Sequence, residues 1–243
     1  MIDVVHLSKK LGHQHVLKDI SFKVNAGEIV VLLGSSGTGK TVLLKHLIGL
    51  MRPDSGQVII DGVDISLMRE DALLDVRRQF GYLFQEGALY DFMDVFENIA
   101  FPLREHTDFS AAKIKDRVQE VLNLVDLADV GSKLPSELSG GMKKRVGLAR
   151  AIVLGAKILL CDEPTSGLDP IRSRDISDLI RSISKKLNST TVITSHDIDN
   201  ALRIGDRFIL LNEGAIAVMG NKEALLSSTD KFVQEFLYAQ TAR

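Results

Sequence analysis

Eight residues constrain this chain more than any others: Gly34-Ser35-Ser36-Gly37-Thr38-Gly39-Lys40-Thr41. They fit the pattern G-x-x-x-x-G-K-[ST] at every fixed position. A continuous apolar run, Glu28–Leu33, precedes them and reads as a strand buried on both faces of a sheet. A helix-period segment, Val42–Leu50, follows. Strand, glycine-rich loop and helix in that order make a phosphate cradle. The glycines let successive N–H groups wrap an anion, and the helix N-terminus adds a favourable dipole. In such a cradle Lys40 reaches the β- and γ-phosphates of a nucleotide, and the Thr41 hydroxyl ligates Mg²⁺.

The surrounding pattern predicts an α/β chain with a largely parallel sheet. Strands are expected at Ile2–Leu7, Val16–Val24, Gln57–Ile60, Phe80–Phe84, Lys157–Asp162, Thr191–Ser195, Phe208–Leu211 and Ala215–Met219. Helices are expected at Glu70–Gln79, Pro170–Lys186 and Asp230–Tyr238. Between about Gln85 and Ala151 few β-type runs occur. Within that stretch Ile114, Val118, Val121, Leu122 and Val125 recur at three- and four-residue steps, and a further helical run covers Lys143–Leu154. It reads as a helical insertion, residues 85–151, in a core formed by 1–84 and 152–243.

Composition narrows the setting without naming the activity. The chain has 243 residues, 45% of them hydrophobic, and 30 Lys+Arg against 32 Asp+Glu for a net charge of −2. That balance gives no field for gripping nucleic acid or an anionic membrane. No apolar run approaches the ~18–20 residues needed to span a bilayer. The one cysteine, Cys161, excludes an internal disulfide framework and fits a reducing compartment. A soluble, cytosolic chain is the expectation.

Three further groups carry chemistry. Asp162-Glu163 ends an apolar strand at its carboxyl end, the usual place for an α/β active site. There Asp162 would hold Mg²⁺ through water, and Glu163 would orient or deprotonate the attacking water. His196 ends another apolar strand, Thr191–Ser195. Ser139-Gly140-Gly141 opens a helix and would present a second anion-binding N-terminus. One nucleotide is already served by the first cradle, so a second cradle suggests a phosphate supplied by another copy of the chain.

Taken together these segments resemble the ATP-binding cassette (ABC) ATPases, whose motifs they follow in order. The Walker A loop is 34–41, Gln85 is the Q-loop glutamine, and Ser139-Gly140-Gly141 is the signature. Asp162-Glu163 is Walker B, Ser166-Gly167-Leu168-Asp169 the D-loop, and His196 the switch histidine. The resemblance implies a P-loop NTPase with a RecA-like core, an antiparallel β subdomain and an inserted helical subdomain. It implies ATP and Mg²⁺ as ligands, with Thr41, Gln85 and Asp162 toward the metal. Glu163, His196, Gln85 and Lys40 would be the catalytic residues. It also implies a head-to-tail homodimer around two ATP, with Ser139 and Gly141 of one subunit facing the γ-phosphate held by Lys40 of the other. Gly140 and Asp169 would complete the cofactor-binding set. Two positions depart from the family pattern. Met142 stands where glutamine is usual, and Leu11 stands where many members place an aromatic residue on adenine. Either His13 or His15 is a candidate substitute.

The run Gln85–Thr107 and the segment Pro135–Met142 further resemble the ATPases of Mla/Mce-type lipid transporters. That likeness implies a permease partner of the MlaE type docked on Gln85–Thr107, phospholipid traffic across a bacterial envelope, and a peripheral place on the cytoplasmic side of the inner membrane. No direct membrane insertion and no nucleic-acid partner are expected. The apolar residues Leu89, Tyr90, Phe92, Met93, Val95 and Phe96 would either line a groove for a partner helix or form the core of the insertion. Rival readings are the ATPase of another ABC importer, for amino acids, metals or other solutes, and a soluble non-transport ABC protein. The basic cluster Lys143, Lys144, Arg145 and Arg150 belongs to the latter reading only if it grips DNA, and a solvated helix face is the better explanation of it.

Overall fold

The computed structural model describes residues 1–241. The chain begins with β1 (Ile2–Leu11), β2 (Gln14–Val24), β3 (Ile29–Leu33), α1 (Lys40–Leu47), β4 (Ser55–Ile60), β5 (Val63–Asp64), α2 (Glu70–Arg77) and β6 (Phe80–Leu83). Helices follow: α3 (Val95–His106), α4 (Ala111–Leu124), a 3-10 turn at Pro135–Glu137, and α5 (Gly140–Ile152). Then come β7 (Ile158–Asp162), α6 (Pro170–Lys186), β8 (Thr190–Ser195) and α7 (Ile198–Ile204). The last elements are β9 (Arg207–Asn212), β10 (Ala215–Gly220), α8 (Lys222–Leu226) and α9 (Lys231–Thr241). Two compact units form, one from residues 1–77 with 190–243 and one from 78–189.

The first unit holds an antiparallel sheet in the order β2-β1-β4-β5. β1 and β2 run further than their alternation predicts. Only Gly12 and His13 separate them, and Gly12 takes the left-handed φ of +58° that so tight a turn needs. The ladder therefore reaches from Ile2 opposite Val24 to Leu11 opposite Gln14. A second set of strands runs β10-β9-β3-β8, with β3 parallel to β8 and β9 and the β9–β10 hairpin antiparallel. All five residues of β3 are buried, which is why its sequence is apolar without alternation. Each such side chain contributes about 1.5–3 kcal/mol by leaving water. The amino end of β3 is held by polar contacts: Arg207 Nε donates to Glu28 Oε1 at 2.7 Å, and the Ile29 N–H donates to Asp206 Oδ2 at 3.0 Å. The carboxyl end carries the glycine-rich loop.

In the second unit β6 and β7 pair in parallel, from Phe80 opposite Ile158 to Leu83 opposite Cys161. Among the described residues no strand falls within 85–151. α4 buries Ile114, Val118, Val121 and Leu122, and its Ser110 side chain caps the first turn. α6 opens on Asp169 as N-cap with Pro170 behind it and closes on Lys185 and Lys186, so local chemistry fixes both ends. α5 packs closely against β6, since a Cβ on Gly81 would collide with the Ala151 carbonyl. Cys161 is wholly buried in β7, and burial raises its thiol pKa, which leaves it inert.

One buried group gives the first unit a pH dependence. His46 in α1 is 1% exposed. Its Nδ1 lies 2.7 Å from the Val42 carbonyl and donates to it, while Nε2 is buried with no partner. Burial holds this imidazole below its ordinary pKa. The unfolded chain takes up a proton below about pH 6.5 that the folded chain refuses, so the His46 contribution is intact above that pH and shrinks as pH falls. The urea midpoint is therefore expected to drop between pH 7.5 and 5.5, with a slope from this residue of at most about 1.4 kcal/mol per pH unit. His46→Leu is expected to flatten that part of the profile. An unchanged slope in the variant would show that the pH dependence lies elsewhere.

Candidate nucleotide site

In the first unit the loop 34–41 joins the carboxyl end of β3 to α1. Two glycines in it admit no side chain. A Cβ on Gly34, at φ +150°, would lie 2.8 Å from the Leu211 carbonyl, and one on Gly39, at φ +101°, 2.8 Å from the Val16 carbonyl. Gly39 is the N-cap of α1 and offers no side-chain cap, so the first N–H groups of the helix meet no side chain of the cap residue. Lys40 is 6% exposed and donates to the carbonyls of Gly34 at 2.8 Å and Ser35 at 3.1 Å, which holds the loop in a ring around its ammonium. The Thr38 hydroxyl donates to Ser35 O at 2.9 Å. Ser35, Ser36 and Thr41 face solvent.

Beside the loop lies a cavity of about 740 Å³, lined by Ser35–Thr38, Gln14–Val16, Lys18 and the β9–β10 turn Asn212–Gly214. His15 lines it, whereas Leu11 and His13 do not. The turn had no signature in the sequence that tied it to the loop. Its place follows from packing, since the Lys18 N–H donates to Gly214 O at 2.7 Å. His196 follows β8, whose last residue, Ser195, is opposite Leu33 at the end of β3. It is exposed, in a turn pinned on both sides by the Asp197 N–H donating to Ser195 Oγ at 3.0 Å and by Ser195 Oγ donating to Asp197 O at 3.2 Å.

The second unit also delivers its groups at the carboxyl ends of parallel strands. β7 carries Asp162, 6% exposed, and the Tyr82 hydroxyl on β6 donates to Asp162 Oδ2 at 3.4 Å. Burial and the Asp162 charge raise the Tyr82 pKa, so the phenol stays protonated as a donor. Glu163 follows with φ +45°, a left-handed backbone that costs a non-glycine residue about 1–3 kcal/mol. Gln85, just past β6, donates from Nε2 to Ser166 Oγ at 3.2 Å.

Ser139 is not an uncovered helix start: its hydroxyl accepts from the Met142 N–H at 3.3 Å, an ordinary N-cap. Gly140 and Gly141 have no positive φ, and a Cβ on either would meet only ordinary contacts at 3.7 and 3.9 Å. The fold of this chain therefore does not itself require glycine there. Asp169 caps α6, accepting from the N–H groups of Ile171 at 3.1 Å and Arg172 at 3.0 Å. These bonds, that from Arg172 foremost, hold its carboxyl below the ordinary pKa.

The basic cluster is not a solvated face. Lys144 is 5% exposed. Arg145 donates to Val125 O at 2.8 Å and to Asp126 at 3.1 Å. Arg150 donates to Ala88 O at 2.9 Å and Gly87 O at 2.8 Å. Three of the four cations are committed to main-chain carbonyls of their own unit, so these three do not form a freely solvated face.

A mixed α/β fold with this loop after a buried parallel strand defines a P-loop nucleotide-binding protein. The family model described as ABC transporter matches residues 17–166, and the chain belongs to that family as an ATP-hydrolysing subunit. It is 45% identical over 236 residues to the probable ribonucleotide transport ATP-binding protein mkl of Mycobacterium leprae, covering 97% of this chain and 68% of that one. It is 38% identical over 241 residues to the intermembrane phospholipid transport system ATP-binding protein MlaF of Haemophilus influenzae, covering 99% and 91%. Among solved structures it is similar to the dimeric post-hydrolysis state of the ATP-binding cassette MJ0796 bound to ADP and Pi. The TM-score is 0.83 at 30% identity, covering 91% of this chain and 98% of that one.

The loop glycines give a graded expectation. Gly39→Ala is expected to cost about 1–3 kcal/mol from its left-handed backbone alone, with a further loss from the clash at the Val16 carbonyl, and to abolish ATP binding. Gly37→Ala, at φ +83° with nothing within 4 Å of the new methyl group, carries the strain without the clash and is expected to be milder. Urea unfolding and fluorescent-nucleotide titration of both variants check the order; equal losses would contradict it.

Proposed function

We propose that this chain is the motor of a lipid-transporting ABC system: two copies close around two Mg²⁺-ATP, drive a separate permease, and reopen after hydrolysis. Residues 1–84 and 152–243 would be the nucleotide-binding core and 85–151 the helical subdomain. In each site Gly34–Thr41 cradles the phosphates, Lys40 reaches the β- and γ-phosphates, Glu163 orients or deprotonates the attacking water, and Gln85 and His196 contact the γ-phosphate side. Ser139, Gly140, Gly141 and Asp169 serve the site of the opposite copy. The spare room at Gly140 and Gly141 supports this, because glycine there leaves main-chain N–H groups open to a second molecule.

Thr41, Gln85 and Asp162 would hold the Mg²⁺. Their hydroxyl, amide and carboxylate oxygens are hard donors of the kind it takes. Among the described residues no cluster of three or more His, Cys, Asp or Glu is placed to bind a metal. When bound, the Mg²⁺ neutralises charge developing on the phosphates.

The partner reading rests on one surface. Tyr90 packs on Phe92 and Phe101 at centroid distances of 5.8 and 5.5 Å, and Phe92 is 79% exposed. Val95 of the same segment is buried, so the run divides between core and surface. An exposed aromatic cluster beside the Q-loop fits an amphipathic helix of an MlaE-type permease. Among the described residues no helix is long and apolar enough to cross a membrane; in this reading the permease supplies the translocation path. The chain would then sit peripherally on the cytoplasmic side of the inner membrane. Phospholipid is favoured as cargo by the identity to MlaF over nearly the whole chain. The higher identity to a protein named for ribonucleotide transport supports a second reading.

Glu163→Gln is expected to keep ATP binding, to lose at least about 100-fold in turnover, and to accumulate as an ATP-bound dimer. Parental steady-state ATPase activity in this variant would overturn the role given to Glu163. Copurification with an MlaE-type permease, and ATPase stimulation by phospholipid but not by ribonucleotides other than the ATP hydrolysed, would support the lipid reading. Stimulation by ribonucleotides alone would replace it with the second.

A further inference from the structure

Four residues of the second unit close a ring of hydrogen bonds that joins the Q-loop to the segment after β7. Gln85 Nε2 donates to Ser166 Oγ at 3.2 Å, and the Ser166 N–H donates to Glu163 O at 3.1 Å. Lys144 Nζ then donates to Glu163 O at 3.4 Å and, more closely, to Gln85 O. Lys144 lies on α5, one turn into the helix that Ser139 caps, and is 5% exposed. Both of its hydrogen-bond acceptors are main-chain oxygens rather than carboxylates. A buried ammonium is costly unless its donors are met, so retaining one here, facing these two carbonyls, carries a positional demand.

That demand falls on Glu163. Its backbone sits at φ +45°, in the left-handed region that a β-strand end does not otherwise impose on glutamate. Relaxing it to an extended backbone would turn the peptide and redirect the side chain. The carbonyl of Glu163 accepts from both the Ser166 N–H and the Lys144 ammonium, and two donors on one oxygen resist that rotation. The other arm of the same ammonium fixes the Gln85 peptide, so the two side chains are referenced to one charge on the signature helix.

We propose that Lys144 is a positioning residue for ATP hydrolysis: its buried ammonium clamps the main chain of Glu163 and Gln85 together and holds the Glu163 carboxylate where the attacking water must sit. It touches neither water nor phosphate and acts through Glu163, so the inference rests on the role proposed above for that residue. Desolvation lowers the Lys144 pKa while Glu86 and Glu163 support the charge, which is consistent with an ammonium kept for its donors.

The test is steady-state ATPase kinetics of the full chain, with rates expressed per ATP-binding site. Lys144→Met keeps the length and removes the donors. It is expected to lower kcat about tenfold or more through misplacement of the base, with KM for ATP within about twofold of the parent because the cradle is untouched. Lys144→Arg, which can donate to both carbonyls, is expected to retain most of kcat. In a Glu163→Gln background Lys144→Met is expected to add much less than its loss in the parent, because the main one of the two groups it positions is already gone and only the hold on Gln85 remains. A purely structural lysine would lower the number of binding-competent sites, leave kcat per site unchanged, and give losses that multiply in the double variant. Parental kcat per site in Lys144→Met, a rise in KM matching the fall in kcat, equal damage from Arg and Met, or multiplying losses would each overturn the proposal. Should Lys144→Met not fold, Lys144→Gln, which keeps a donor but is too short for both carbonyls, is judged by the same criteria. Parental turnover in Glu163→Gln would defeat the underlying assignment. Loss there with parental turnover in Lys144→Met defeats the role of Lys144 alone.

Discussion

The N–H groups at the start of α1 set the terms for the rest of the first unit. A helix start whose N-cap is glycine leaves donors for an anion only if the chain enters it without a side chain in the way. That requires Gly34 and Gly39 where neighbouring carbonyls leave no space for a Cβ. It also requires β3 to be immobile, which its complete burial and the Glu28–Arg207 and Asp206 contacts at its other end provide. Lys40, turned onto the Gly34 and Ser35 carbonyls, holds the loop to the shape of the ligand it is proposed to meet.

The second unit depends on α5 in a comparable way. Three of its four cations are spent on carbonyls: Arg150 on Gly87 and Ala88, Arg145 on Val125, Lys144 on Gln85 and Glu163. The helix that opens with the signature residues is thus bonded directly to the Q-loop and to the residue after Asp162. If the proposed permease docks on the aromatic surface near Tyr90, its motion would reach the proposed base through few intermediaries.

Legibility in the sequence followed the locality of the signals. α6 could be placed at Pro170–Lys186 because the Asp169 cap, Pro170, the Ile176, Ile180 and Ile183 stripe and the terminal lysines all agree. The cradle was legible because spacing alone defines it. α3 was not delimited, although Asp94 with Glu97 is a capping signal and Val95, Ile99 and Leu103 repeat every four residues; Pro102 inside the helix obscures the pattern. β5, α7 and α8, of two, seven and five residues, are too short to show a period. The acceptors of Lys144, Arg145 and Arg150 are main-chain oxygens, which carry no residue identity, so the cluster could not be told from a solvated face. The place of the β9–β10 turn beside the loop emerged only from packing, which also chooses His15 over His13 on the cavity.

The claim on which the proposed mechanism stands is that each ATP site is shared between two copies. It can be tested by cross-linking, because Cys161 is the only cysteine and is fully buried. One tagged population would carry Ser36→Cys, at an exposed position within the cradle loop, and a differently tagged population Ser139→Cys at the signature, both first shown to bind ATP. Both would be mixed and treated with a short thiol-to-thiol reagent with and without Mg²⁺-ATP. Head-to-tail pairing predicts a covalent dimer bearing both tags that forms with ATP and is absent without it. A mixture that yields no two-tag dimer with ATP, while single-copy labelling shows both thiols reactive, would contradict the shared site.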